Sequence, residues 1–208
     1  LMGLSRLGNT NNDEGVSLSD IVSQYILNGQ KADAYEVENP EDIMAVKDRA
    51  QLNRAEHILL KRIIERHMQN GVTFHLPETC MIDERVRIGR DTVIYPGTIL
   101  EGRTVIGEKC EIGPNSRIAD GVVGDHVSFM NSVMLQSQVG NNTKVGPFAY
   151  IRPGSDIGQN IKIGDFVEIK NSSIDDGTKV PHLSYVGDAD VGKGVNFGCG
   201  SVVVNYDG

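Results

Sequence analysis

The chain has 208 residues and a formal net charge of −8, from 20 Lys and Arg against 28 Asp and Glu. That balance excludes a nucleic-acid binder working through a cationic face, because counterion release needs positive surface. A hydrophobic fraction of 39%, 24 Gly, no Trp and 5% aromatic residues exclude global disorder and fit a fold of tight corners with a small-residue interior.

The length allows one large domain or two small ones. Leu1-Met2-Gly3-Leu4 reads as the interior of a longer protein, with no basic-then-apolar leader. No apolar run reaches membrane-spanning length. Cys80, Cys110 and Cys199 show no CxxC spacing, so neither a disulfide framework nor a structural zinc site is expected, and a reducing cytosol fits best.

In chain order, Ser19 or Asp20 can cap a short helix through Ile21, Val22, Tyr25 and Ile26, stopped by Asn28-Gly29. Ala32 to Val37 alternates like a strand and is broken by Asn39-Pro40. A longer helix is expected from about Arg49 to Gln69. Its apolar face reads as Leu52, Ala55, Leu59, Ile63 and Met68, and Asn70-Gly71 ends it.

After Gly71 the period changes to six. Ile82 is followed at every sixth position by Ile88, Ile94, Leu100, Ile106, Ile112 and Ile118. With one-residue shortenings the series runs on through Ile151, Ile169 and Val186 to Val203. A small or β-branched residue sits four places later, as at Val86, Thr92, Thr98, Thr104, Cys110 and Ser116, and Gly often directly follows the aliphatic position. Neither helix nor hairpin has this period. Three hexapeptides would close one triangular coil of about eighteen residues, with aliphatic side chains stacked inside and Gly easing the corner backbone. One coil cannot bury its own apolar face, so stability comes from stacking.

Arg152 and Lys170 lie eighteen residues apart, one expected coil, so two cations share a wall suited to a phosphate. By spacing alone, a pair of solvated surface cations is the commoner outcome. His182 has a side chain whose ordinary pKa near 6.5 suits proton abstraction near neutral pH. A lone His is more often structural, and His57, His67, His75 and His126 take that reading; Cys110 reads as packing.

Four blocks are more specific: Phe148-Ala149-Tyr150-Ile151-Arg152-Pro153-Gly154, Gly164-Asp165-Phe166-Val167-Glu168-Ile169-Lys170, His182-Leu183-Ser184-Tyr185-Val186-Gly187-Asp188, and Asn196-Phe197-Gly198-Cys199-Gly200 leading to Asn205-Tyr206-Asp207-Gly208. With Asp48-Arg49-Ala50-Gln51-Leu52 they resemble the bacterial bifunctional glucosamine-1-phosphate N-acetyltransferase / N-acetylglucosamine-1-phosphate uridyltransferase family, over nearly the whole chain.

The resemblance implies a left-handed parallel β-helix preceded by an α/β remnant of a nucleotidyltransferase domain: residues 1–48 the remnant, 49–71 a linker helix, 72–208 the solenoid. The hand comes from the resemblance, since periodicity does not set it. The implied activity is acetyl transfer from acetyl-CoA to the amine of glucosamine 1-phosphate, supplying UDP-N-acetylglucosamine for the cell wall, in a cytoplasmic homotrimer with sites between subunits. His182 is implied as general base, because an amine must lose a proton to attack a thioester. Arg152, Lys170, Tyr185 and Asn196 are implied to hold the acceptor, and Cys199, Asn205 and Tyr206 the acetyl-CoA. Glu168 is a weaker candidate, either orienting the site or pairing with a cation. A Cys199 nucleophile is set aside, since direct transfer to an amine needs no acyl-enzyme.

The chain departs from the family in its uridyltransferase part. The nucleotide-cradling loop and the magnesium-holding Asp would precede Leu1, and further acetyl-CoA contacts would follow Gly208. Ala45-Val46-Lys47-Asp48-Arg49 stands where Gly-Xaa-Asn-Asp-Arg is expected, and an ammonium at Lys47 repels Mg²⁺ rather than ligating it. Val16-Ser17-Leu18 likewise replaces an acidic-aromatic-aromatic stretch. No metal site is expected here. Two rivals are a hexapeptide carbonic anhydrase, which needs three metal-binding histidines where the solenoid offers His126 and His182, and a non-catalytic solenoid that only trimerises a degenerate nucleotidyltransferase.

Overall fold

The computed structural model describes residues 18–205, and the chain divides into two compact units between Ala45 and Val46. In the first, helix α1 spans Leu18–Leu27, so Ser19 and Asp20 fall within its first turn rather than ahead of it as caps. Asn39 caps the short 3-10 turn Pro40–Ile43 by accepting from the Glu41 N–H at 3.0 Å. The strand expected over Ala32–Val37 does not form. Its residues are mostly exposed, Tyr35 at 89%, and no described strand pairs with them. Alternation without a neighbouring ladder leaves backbone groups better served by water.

The second unit opens with helix α2, Arg49–Gln69. Asp48 is its N-cap, with its carboxylate accepting from the Gln51 N–H at 2.8 Å, while the Lys47 N–H donates to the Gln51 side chain at 2.7 Å. The buried face overlaps the one the spacing indicated only at Ile63. Ile63, Ile64 and His67 are buried and Leu60 packs beside them, whereas Leu52 and Leu59 are each 57% exposed. The last turns of the helix cap the solenoid, and that contact selects the residues.

His67 is 6% exposed, and its buried Nε2 has no hydrogen-bond partner. Burial first, and Arg66 second, hold its pKa below the ordinary value. The unfolded chain therefore binds a proton as pH falls below about 6.5 while the folded chain resists it, and stability is lost from there down to the folded pKa. Chemical denaturation of His67→Leu against the parent should show a flatter loss of stability on the acid side of pH 6.5. The same substitution removes an orphaned polar atom, so stability at neutral pH should not fall. An unchanged acid slope would contradict this account.

Three parallel seven-stranded sheets form the solenoid walls. One runs from Thr73–Phe74 to Lys179–His182, a second from Met81–Ile82 to Tyr185–Gly187, and a third from Arg87–Ile88 to Asp190–Val191. Successive strands of a sheet lie one coil apart, as in Tyr150↔Glu168↔Tyr185. The six-residue series points inward as expected: Ile94, Leu100, Ile112, Ile118, Phe129, Met134, Ile151, Ile163, Ile169, Val180 and Val186 are all 0% exposed.

The second inward position is explained by backbone chemistry. Thr92 Oγ1 donates to the Gly107 carbonyl at 2.8 Å and accepts from the Cys110 N–H at 3.0 Å. Thr143 does the same with the Gly158 carbonyl and Ile161 N–H, and Ser137 with the Arg152 carbonyl and Ser155 N–H. Where the slot holds Ser or Thr, the buried hydroxyl thus satisfies an acceptor and a donor left over at the corner; Val86, Val127, Ala149, Ile161 and Val167 fill it with apolar side chains instead. The expected glycine role holds in part: Gly113 and Gly146 take positive φ of 105° and 101° at the corner. Gly89, Gly107, Gly140, Gly158 and Gly164 do not adopt positive φ; a β-carbon there would strike the next coil. The left-handed residue of most corners comes two or three places after the inward aliphatic residue and is often Asn, as at Asn115, Asn131, Asn142, Asn160 and Asn171.

Candidate functional site

The strands Glu168–Lys170 and Tyr185–Gly187 bury Ile169 and Val186, which turns Glu168 and Tyr185 outward on one wall with Tyr150. At the end of that wall Arg152 and Lys170 occupy successive coils, as their spacing indicated. Each already holds a carboxylate: Arg152 Nη1 meets Glu168 Oε1 at 2.8 Å, and Lys170 Nζ meets Asp188 Oδ2 at 2.8 Å. These contacts raise the pKa of both cations and hold Asp188 below the usual carboxylate range. The side chains are 38–40% exposed, so the pairs are solvent-screened and exchangeable for an incoming anion. Asp188, which the sequence reading passed over, is the partner Lys170 must release.

Asn205 joins this column from the next coil, its side-chain amide donating to the Gly187 carbonyl and, at 3.3 Å, to that of Asp188. Asn196 is exposed and bridges Lys179, on the sheet that carries His182. Cys199 is a free, exposed thiol. Tyr206 lies outside the described residues. Arg152, Glu168, Lys170, Tyr185, Asp188 and Asn205 are therefore gathered at one wall, while among the described residues no side-chain bond ties Asn196 or Cys199 to it.

His182 ends the strand Lys179–His182, at the edge where the chain turns onto that wall. It stands in register with Asp165 one coil earlier, and its Nδ1 lies 2.6 Å from Asp165 Oδ1. The bond to His182 is the leading cause holding the Asp165 carboxyl below its ordinary pKa. Nε2 makes no hydrogen bond among the described residues, and the His182 side chain is 51% exposed. Sequence alone assigns Asp165 no role. The available signal was its place seventeen residues before His182, close to one coil.

Beside His182 and Asp165 runs a column of apolar corner residues. Phe148, Phe166 and Leu183 take positive φ of 60°, 55° and 45° and are 57%, 59% and 55% exposed. The two phenyl rings stack at 5.5 Å between centroids. Bulky side chains in the left-handed region are strained, and three in consecutive coils present apolar surface next to the polar groups.

Among the described residues, no group of three or more His, Cys, Asp or Glu is placed to hold a metal ion, and no helix is long and apolar enough to cross a membrane. Asp48 is occupied as a helix cap and Lys47 stands beside it, so this stretch does not fit magnesium.

Comparison with known proteins follows the same lines. The family described as bacterial transferase hexapeptide (six repeats) matches residues 85–120 and 136–171. The chain is 56% identical over 99% of its length to "Bifunctional protein GlmU" of Caldanaerobacter subterraneus subsp. tengcongensis. The proteins of that name from Clostridium novyi and Acetivibrio thermocellus are 54% and 55% identical over 100% and 99% of the chain. The chain spans 44–45% of the length of these relatives.

Proposed function

We propose, for a chain built of bacterial transferase hexapeptide repeats and similar from end to end to bifunctional GlmU proteins, that its solenoid transfers an acetyl group from acetyl-CoA to the amine of glucosamine 1-phosphate. On this reading residues 1–48 end a nucleotidyltransferase domain, 49–71 link, and 72–208 form the acetyltransferase solenoid. The protein works in the cytoplasm on the route to UDP-N-acetylglucosamine. The observation that carries the proposal is the wall itself: Arg152 and Lys170 at one end and, at the edge leading onto it, His182 with Nε2 free.

The acceptor phosphate displaces Glu168 and Asp188 from the two cations, and Tyr185, on the next coil after Lys170, faces the sugar. Asn196 completes the sugar contacts. Acetyl-CoA is the co-substrate, held with Cys199, Asn205 and Tyr206. The amine nitrogen attacks the thioester carbonyl as its proton passes to His182, the C–S bond breaks, and the proton goes on to the departing thiolate. A general base of this kind contributes in the transition state, where the nitrogen gains positive charge. Magnesium-dependent uridyl transfer is not assigned to this chain.

The chain works as a homotrimer. What supports association is the exposed column of Phe148, Phe166 and Leu183, an apolar strip with stacked rings that packing against a second copy covers. Sedimentation should give a mass near three times 22.6 kDa, and a monomer at micromolar concentration would contradict the trimer. The activity test is thiol release from acetyl-CoA by the protein with its native flanking sequence. Turnover is expected with glucosamine 1-phosphate, and equal use of plain glucosamine would count against the phosphate wall.

A further inference from the structure

We infer that Asp165 is the positioning residue for His182, fixing the imidazole in the Nδ1–H tautomer so that Nε2 is the bare nitrogen facing the acceptor amine. The inference rests on the acetyl-transfer reading for the role of His182 and on geometry for the pairing. Asp165 and His182 end neighbouring strands of one sheet, Lys162–Asp165 and Lys179–His182, in register through Lys162↔Lys179 and Ile163↔Val180. The ring reaches sideways across one coil, and its Nδ1 donates to Asp165 Oδ1 at 2.6 Å.

An ionised carboxylate only accepts, so a neutral His182 must carry its proton on Nδ1, leaving the Nε2 lone pair outward. The reaction then draws on two properties of Asp165. The hydrogen bond sets which nitrogen is basic, and the negative charge stabilises the imidazolium that exists between taking the amine proton and passing it to the thiolate. The same division of labour holds wherever a carboxylate orients a catalytic imidazole. Glu168 lies on the neighbouring sheet and pairs with Arg152, whereas the carboxylate at His182 Nδ1 is that of Asp165.

The strands themselves keep the pair together. Ile163 and Val180 are 0% exposed, and the β-carbon missing at Gly164 is what lets the two coils lie this close. Asp165 is thus placed by buried neighbours and by glycine, not by its bond to His182, and removing the carboxylate should leave the coil in place.

The test uses two readouts. In the 208-residue chain, ¹⁵N NMR of the His182 ring should report the Nδ1–H tautomer, and Asp165→Ala should shift it toward Nε2–H, the form favoured by an unconstrained histidine side chain. In the protein with its flanking sequence, steady-state acetyl transfer should order as wild type, Asp165→Asn, Asp165→Ala. The last should lose at least about tenfold in kcat but no more than His182→Ala, since a positioning residue cannot remove more than the base supplies. Acceptor KM and melting temperature should stay near wild type. An unchanged ring spectrum in Asp165→Ala, or a loss confined to KM or to melting temperature, would overturn the inference. Normal turnover by His182→Ala would instead remove the reading beneath it, while the spectrum would still decide whether Asp165 sets the tautomer.

Discussion

Replacing His182 by Ala should lower kcat for acetyl transfer by about 10²- to 10⁴-fold while leaving acceptor KM close to wild type. The asymmetry follows from where the group acts. His182 is exposed and its Nε2 has no ground-state partner, so it adds little to holding the acceptor. It becomes indispensable only when the amine proton must leave. Arg152→Ala and Lys170→Ala should behave in the opposite way, raising acceptor KM with a smaller effect on kcat. Each removes a charge-assisted contact to phosphate, but each cation is already neutralised by Glu168 or Asp188, so the net loss is an exchange of one anion for another. An increase on the order of tenfold in KM is expected for each. Both effects should shrink with plain glucosamine as acceptor, whereas the His182 effect should persist. Steady-state thiol release with the two acceptors measures all of this, and near-wild-type turnover in His182→Ala would end the direct-transfer mechanism.

The second large effect is structural. Gly164→Ala should destabilise the solenoid more than other single-methyl additions, because a β-carbon built there falls on the carbonyl of Pro181 in the next coil. Backbone, unlike the end of a flexible side chain, cannot rotate away. Overpacking a well-filled interior costs about 1–3 kcal/mol and occasionally more, and the upper part of that range is expected. Gly192→Ala in the same 208-residue chain is the control, since no described residue lies within 4 Å of its added β-carbon, and it should change stability by no more than about 0.5 kcal/mol. Equal denaturation midpoints for the two variants would contradict close coil approach as the reason for glycine. Gly164→Ala should also part Asp165 from His182, since the two end the strands that would be forced apart. Its loss of acetyl transfer should therefore exceed what its residual folded fraction explains.

The described chain shows how far periodicity carries. Spacing of six located the inward aliphatic column from Ile82 to Val186 and the small inward slot, because both repeat with the coil and are decided by burial. It failed for Ala32 to Val37, where alternation had no partner strand, and for α2, where Ile64 and His67 were chosen by the first coils rather than by the helix pattern. Arg152 and Lys170 were legible as a pair because they recur one coil apart. Of their carboxylates, Glu168 was legible as one that orients the site or pairs with a cation, and it pairs with Arg152; Asp188, from the coil after Lys170, was not.

By itself, the sequence determined that this protein is a stack of parallel coils with aliphatic and hydroxyl ladders inside, since each hexapeptide repeats one burial problem and solves it the same way. It also placed His182, Arg152 and Lys170 as chemical groups. Only the tertiary structure decided what each of them touches. The offset between paired residues varies along the stack, from 16 for Ser128↔Lys144 to 20 for Thr73↔Val93. A shift of one or two residues changes which side chain lies across a coil boundary. The bond from His182 to Asp165, the pairing of Lys170 with Asp188 and the need for Gly164 all depend on that offset, and packing between coils sets it.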